Sequence, residues 1–330
     1  MAEKNSIKNR FELVFLYDVR DANPNGDPDN SNMPRRDDET GQNIVTDVRL
    51  KRTIRDYWLK NEESVLIKPV IDDEGNRKSM EDLALEFLGI DKVKKKESGN
   101  IRAKLINELP ERYLDVRAFG GTIVLSGANV SITGPAQFGL GRSLNIPEIK
   151  THTITASLAS KSSKGGEGKG QGTIGEYHIL DYSLISFHGL ISEITAEETK
   201  FAEEDLDKLF EGMWLGTKQL NTRSKFNHNP RLLISVKYNE DEAQIGDLDL
   251  GLSLENDEGL KKLDDVSLDI TGMLERLKKY SSKVDSIKIL WDSDLKVMVE
   301  GKAVDNIIEV LKKELEIEDI SELNLGSDGE

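Results

Sequence analysis

Apolar residues first gather at Phe11–Val19 (FELVFLYDV), a run dense in β-formers and long enough for one buried strand. It stops at Asp21–Asn32 (DANPNGDPDNSN), where Asp, Asn, Pro, Gly and Ser dominate and a structured turn is expected. Thr46 is placed to cap a helix that carries Asp47 in its first turn and runs to about Lys60. Wound at about 100° per residue, Leu50, Ile54, Tyr57 and Trp58 share one arc, and Arg49, Lys51, Arg52 and Arg55 are assigned to the opposite one. Residues 61–112 are irregular and charged, with a short apolar helix at Met80–Leu88 and a lysine-rich run at Lys92–Lys96, and read as an insertion outside the core. Asp115–Leu125 (DVRAFGGTIVL) predicts a strand broken by Gly120-Gly121, followed by the glycine-rich Gly134–Arg142. Ser157–Gly175 alternates Lys, Ser and Gly, the composition of a mobile hairpin tip or loop. Tyr177–Ser192 predicts a strand, Glu203–Leu215 an amphipathic helix and Arg231–Tyr238 a further strand. A helix at about Leu268–Tyr280, a strand at Ser286–Trp291 and a helix at Val304–Leu315 complete the pattern, and no internal repeat is visible. The order strand, helix, strand, strand, helix, strand predicts an α+β class with ferredoxin-like or RNA-recognition-motif connectivity, stretched by insertions.

Charge changes this picture by its distribution. The chain of 330 residues carries 45 Lys+Arg against 61 Asp+Glu, a net charge of -16 that at first argues against a nucleic-acid partner. Residues 1–150 hold 24 basic and 25 acidic side chains, residues 151–240 hold 10 and 12, and residues 241–330 hold 11 and 24. The acid is concentrated in the last segment. Since exposed charges are screened beyond about 8 Å at physiological salt, a basic groove in the first part is compatible with an acidic extension. Cysteine is absent, which removes disulfides, thiol nucleophiles and thiolate metal sites. No apolar run approaches the length of a transmembrane helix, and the N-terminus turns apolar only at Phe11, so neither a membrane partner nor a signal peptide is expected. A cytoplasmic location is the default expectation.

Few motifs carry chemistry. Residues 21–26 (DANPNG) match the first half of a calcium loop, but Asn32 stands where a bidentate Glu is needed and Pro24 stiffens the turn. A self-bonded Asx turn, or a loop lining a polymer-binding cleft, are the other readings, and no metal is assigned. His152, His178, His188 and His228 have no metal-ligand spacing, and no nucleotide-binding, hydrolase or kinase signature occurs, so no cofactor is expected. The Arg49–Arg55 cluster suits phosphate contact, because each cation that neutralises a phosphate releases counterions. The glycines of Gly134–Arg142 either let a ligand approach the backbone, with Gln137 and Arg142 as polar contacts, or mark a bulged strand. Asn221–Asn229 (NTRSKFNHN) combines Arg223, Lys225 and Phe226, a mixture suited to stacking and backbone contact on single-stranded nucleic acid, although a plain surface loop has the same composition.

In this order, FLYDVRDANPNGDPDNSNMPR, TDVRLKRTIRDY, DVRAFGG, ITGPAQFGLGRS and NTRSKFNH resemble the repeated backbone subunit of type I CRISPR surveillance complexes (Cascade), in the RAMP superfamily, closest to subtype I-B with I-C related. The resemblance implies a non-catalytic, hand-shaped protein that stacks head-to-tail along a CRISPR guide RNA and presents it to target DNA. Its palm is expected at 1–56, 115–150 and 177–240, its fingers at 57–114 and its thumb hairpin at 151–176. The acidic extension, 241–330, is expected to pack on the palm away from RNA, toward a neighbouring subunit. Carried over, Arg49, Lys51, Arg52 and Arg55 would hold guide phosphates, with Asn25 and Gly26 lining the palm turn. Gln137 and Arg142 would approach the RNA from the glycine-rich strand, and Arg223, Lys225 and Phe226 from the late loop. Lys94, Lys95, Lys96 and Arg102 on the fingers would be available to target DNA. Further implied partners are a large subunit, a second RAMP subunit capping the guide's 5′ end and a processing endoribonuclease. The alternative is a metal-dependent ribonuclease of the same superfamily, acting through Asp21, Asp27 and Asp29.

Overall fold

A computed structural model describes residues 5–155, 174–240 and 244–325. Most of the expected hairpin at 151–176, residues 156–173, and most of the Lys/Gly stretch at 157–175 lie outside the described residues.

The chain opens with β1 (Phe11–Ala22), followed by α1 (Asp47–Lys60), α2 (Met80–Leu88), α3 (Ser98–Arg112) and α4 (Leu114–Phe119). Short strands follow: β2 (Gly120–Ile123), β3 (Val130–Thr133), β4 (Ala136–Phe138), β5 (Gly141–Ser143) and β6 (Ile149–Thr155). Next come the long β7 (Ile174–Ile191), α5 (Glu203–Lys218) and β8 (His228–Tyr238). The C-terminal segment supplies α6 (Thr271–Lys279), β9 (Val284–Trp291), α7 (Ile307–Glu314) and β10 (Asp319–Glu322).

β1 lies at the centre of the main sheet, antiparallel to β7 on one side and β8 on the other. β4, β5 and β6 each pair with β7, and Ile44–Val45 pairs with β5. On the opposite side β9 continues the sheet antiparallel to β8, and β10 joins β9 in parallel. The class is therefore mixed α/β around a central, mostly antiparallel sheet.

Alternation along β1 divides two cores. Leu13, Phe15, Tyr17 and Val19 face the layer formed by Leu50, Ile54 and Trp58 of α1 and Leu206, Leu209, Phe210 and Met213 of α5. Val14 and Leu16, with Leu232, Ile234 and Val236 of β8, face a second layer built from the C-terminal segment, including Leu268, Met273, Leu277, Ile287 and Leu311. A strand buried on both faces reads as a continuous apolar run, which is how FELVFLYDV reads. The acidic segment thus contributes two strands to the sheet and a layer on its second face.

Two sequence expectations are corrected. Asp115–Phe119 is not the first half of a strand. It belongs to the short helix α4, and the strand begins only at Gly120, whose φ of +73° and contact with the Ile132 carbonyl leave no space for a Cβ. Residues 61–112 are not irregular either. Their helices α2 and α3 pack with β2 and β3 around a third core of Leu66, Ala84, Ile101, Leu105, Leu109, Val116 and Val130. Two ion pairs with fully buried carboxylates tie this unit to the main body, Arg55 to Asp115 at 3.0 Å and Arg117 to Asp205 at 2.8 Å. Among the described residues no helix is long and apolar enough to cross a membrane.

Candidate nucleic-acid interface

Four separated segments converge at the C-terminal end of β1. Asn23 is buried there, donating its backbone N–H to the Ser224 carbonyl (2.8 Å) and its side-chain amide to Asn32 O (2.8 Å) and His178 O (3.3 Å). Asn25 Oδ1 accepts from both the backbone N–H (2.9 Å) and hydroxyl (3.0 Å) of Thr46, whose Oγ1 in turn caps α1 by accepting from Arg49 N. The turn after β1, the start of α1 and the loop before β8 are locked together by these bonds. Asn25 thereby acts through the helix cap. Gly26 is packed so tightly against Asn32 that an added Cβ would lie 2.0 Å from its Oδ1.

This lock brings Arg49 and Lys225 together. The Lys225 ammonium donates to the Asn23 carbonyl at 2.7 Å, and burial together with the Arg49 charge pushes its pKa down to about 8. Arg49 folds back to donate to Thr53 Oγ1 at 2.9 Å, and burial lowers its pKa too. Among the described residues no carboxylate comes within ion-pair distance of either. Asp56 acts on Arg49 only from beyond ion-pair distance and is itself paired with Arg52, so these two half-buried cations repel each other with little compensation.

Beside them runs a stack of planar groups. The Arg223 guanidinium sits 4.4 Å over the Tyr177 ring, and Tyr177 stacks on His152 with centroids 5.1 Å apart and planes 22° from parallel. Phe226, on the same loop as Arg223 and Lys225, is 55% exposed. Cationic groups and aromatic faces therefore stand side by side along the β6–β7 ladder.

The family model for CRISPR-associated protein Cas7 matches residues 9–271. The chain is also 32% identical over 321 residues to a CRISPR-associated protein Cas7 from Haloferax volcanii, covering 90% of this chain and 91% of that protein. The chain belongs to the Cas7 family. Two solved chains from assemblies described as a CRISPR RNA-guided surveillance complex, one of them pre-nicking, are similar at TM-scores of 0.47 and 0.48 with 12% and 11% identity. They cover 85% and 92% of this chain and 88% and 98% of their own length.

The other expected contacts of this Cas7-family chain stand differently. The four cations of α1 do not share one outward face. At 100° per residue Lys51 and Arg55 stand only about 20° and 60° from Trp58, so both are drawn toward the core. Arg55 is 8% exposed, paired with Asp115 and stacked 5.1 Å over Phe119. Lys51 is 9% exposed and donates to Gln137 Oε1 at 2.9 Å, with Asp47 at 3.2 Å. Gln137 in turn donates to the Gly134 carbonyl, so its amide is engaged within the protein. Arg52 remains half-exposed but pairs with Asp56 at 2.8 Å. Arg142 is exposed and pairs with Asp37 at 2.9 Å. Gly134 is packed against the backbone of Ala118–Gly120 and Gly141 against the Phe187 ring, so the close approaches these glycines permit are internal.

Lys94, Lys95, Lys96 and Arg102 are all exposed on the helical insertion, before and on α3, and Lys94 lies 3.9 Å from Glu97. The Asp21–Asn32 turn closes on itself: Asp27 O accepts from Asn30 and Asn32, and the Asp27 carboxylate pairs with Arg35 at 3.1 Å. Among the described residues no group of three or more His, Asp or Glu is placed to hold a metal ion. Sequence reasoning missed Tyr177 and His152 as the stack under Arg223, and His228 as a neighbour of the cationic pair, because the β6–β7 ladder and the loop before β8 bring them there.

Proposed function

We propose that this chain is the guide-RNA-binding backbone subunit of a type I CRISPR surveillance complex, subtype I-B-like, and that it holds RNA without cleaving it. Family membership supports the class, and the juxtaposition of Arg49 with Lys225 carries the assignment of the site. Two cations without an ion-pair partner, beside a stacking surface, fit a strand whose phosphates are gripped and whose bases are left to pair. The palm reading draws on the strand order β8, β1, β7, then β4–β6, with α1 and α5 on one face, which is split βαβ connectivity. The β6–β7 ladder, emerging beside Tyr177, is the base of the thumb in this reading, and the α2–α3 unit is the fingers. Target DNA, further copies of the chain and the other subunits of the complex are its partners. Arg49, Lys225, Arg223 and Phe226 carry the RNA contact. Lys51 and Arg55 shape the helix that presents Arg49, with Arg52 and Arg142 at the edge. Lys94, Lys95, Lys96 and Arg102 face the target strand.

The test is the salt dependence of RNA binding. Each phosphate neutralised by a cation contributes about 0.7 to the log–log slope for a single strand, so Arg49→Ala with Lys225→Ala lowers the slope by about 1.4 units and weakens binding across unrelated sequences between about 50 and 200 mM salt. Unchanged affinity and slope would sink the assignment, and shortening of the RNA would sink the non-cleaving part of it.

A further inference from the structure

A small cleft opens next to the two cations, between β1, α1, α5 and β8, and its walls include Tyr17, Arg49, Thr53, Thr217 and His228. Its volume of about 10 Å³ has room for roughly one oxygen atom with its hydrogen. His228 is 3% exposed and stacks on Tyr17, with centroids 5.9 Å apart and planes 18° from parallel. Its Nδ1 lies 3.2 Å from the Phe226 carbonyl, which can only accept, so Nδ1 carries the proton. Burial, assisted by the charges of Lys225 and Arg49, holds the ring's pKa down to about 3, and the imidazole is neutral at ordinary pH. Nε2 is therefore a lone-pair acceptor, and among the described residues it has no hydrogen-bond partner. A buried acceptor in that state is costly until a donor reaches it.

The occupant that satisfies this corner needs two features. It carries negative charge for Arg49 and Lys225, and it places a hydroxyl a short distance from that charge. A ribose-phosphate unit has both, and a deoxyribose-phosphate unit lacks the hydroxyl. We infer that His228 Nε2 accepts a hydrogen bond from a ribose 2′-hydroxyl of the strand gripped by Arg49 and Lys225, so that this cleft selects RNA over DNA. The inference rests on the guide-RNA reading above and adds to it the residue that recognises the sugar. Arg49 now closes over Thr53. Turning its guanidinium outward to a phosphate uncovers the same cleft, so phosphate capture and sugar recognition are coupled.

The experiment compares the full chain binding three strands of one sequence: RNA, DNA and 2′-fluoro RNA, the last keeping the ribose pucker but unable to donate. The wild-type protein binds RNA about tenfold more tightly than the 2′-fluoro strand, the ratio expected for one buried acceptor left unmet. His228→Phe keeps the ring stacked on Tyr17 and removes the acceptor, and brings the ratio close to one. His228→Gln retains an acceptor and keeps part of it. Equal wild-type affinity for RNA and 2′-fluoro RNA overturns the inference whether or not the Phe variant folds, and leaves a water molecule as the satisfier of Nε2. A His228→Phe protein that keeps the wild-type ratio overturns it as well. In both cases RNA binding with a steep salt slope preserves the guide-RNA reading, whereas failure to bind any strand removes that reading and the inference together.

Discussion

Arg49 and Arg55 lie less than two turns apart on α1, yet their surroundings assign them opposite tasks. Arg55 answers Asp115, a fully buried carboxylate that also accepts the backbone N–H groups of Leu66 (2.8 Å) and Ile67 (3.0 Å) at the junction with the helical insertion. Removing one partner of a buried pair leaves the other charged without compensation, so Arg55→Ala is expected to destabilise the fold by about 3–5 kcal/mol. Arg52, three residues earlier, makes an exposed i,i+4 pair with Asp56, and Arg52→Ala should move stability by about 0.5 kcal/mol or less. Urea denaturation midpoints of the two variants separate these cases. A small loss for Arg55→Ala would mean that the pair does not anchor the insertion. Charge type and helical winding together put both residues on one RNA-facing arc in the sequence reading. What distinguishes them is the carboxylate opposite, 60 positions further along the chain.

At the scale of elements, long segments with one dominant period were legible from the sequence. The first strand, α1 with its Thr46 cap, α2 and α5 were all visible within a few residues of their ends. Asp115–Phe119 was misread because a helix of under two turns, buried on most sides, has no amphipathic period, and the Gly-Gly pair with TIVL beyond it suggests a strand. α3 was missed although Ile101, Leu105 and Leu109 recur every fourth residue, because ten of its fifteen residues are exposed or charged around that narrow stripe and Pro110 interrupts it. The candidate site was half legible: the cationic and aromatic residue types were evident, but their meeting depends on contacts between residues about 180 positions apart. The C-terminal segment is a different case. The sequence reading expects it to pack on the palm but not to extend the sheet, and Leu232, Ile234 and Val236 of β8 are fully buried because this segment covers them. Each such side chain contributes about 1.5–3 kcal/mol when buried. A chain ending at Asn239 also leaves β8 as a bare sheet edge. Expressed alone it should aggregate or fail to unfold cooperatively. A soluble, cooperatively melting product would show the segment to be a detachable domain.

For the molecule as a whole, buried ionisable groups at the meeting points of sheet and layers set the response to pH. Glu12 of β1 is fully buried, where desolvation pushes its pKa up. Hydrogen bonds from His188 of β7, Tyr238 of β8 and the Gly246 backbone outweigh that and leave it lowered. His188 is raised, first by its 2.7 Å bond to Glu12 and further by Asp249 and Asp247 of the second layer, despite its partial burial. The signs differ for the two limbs. A carboxylate with a lowered folded pKa stabilises above about pH 4.5 and loses that contribution as pH falls, and a histidine held neutral near 3 penalises the folded state increasingly from about pH 6.5 down to 3. Glu12 and His228 therefore both weaken the fold on acidification. His188, raised above 6.5, stabilises below that value and loses its contribution as pH climbs through its folded pKa. Stability should peak near neutrality, and the two limbs can be separated. His188→Gln keeps a hydrogen bond to Glu12 without a titrating charge and should flatten the alkaline fall in urea midpoint, leaving the acid limb in place. His228→Phe should flatten part of the acid limb alone. If His188→Gln leaves the alkaline slope unchanged, the loss there belongs to general repulsion in a chain of net charge -16, and the Glu12–His188 contact is not what joins the layers.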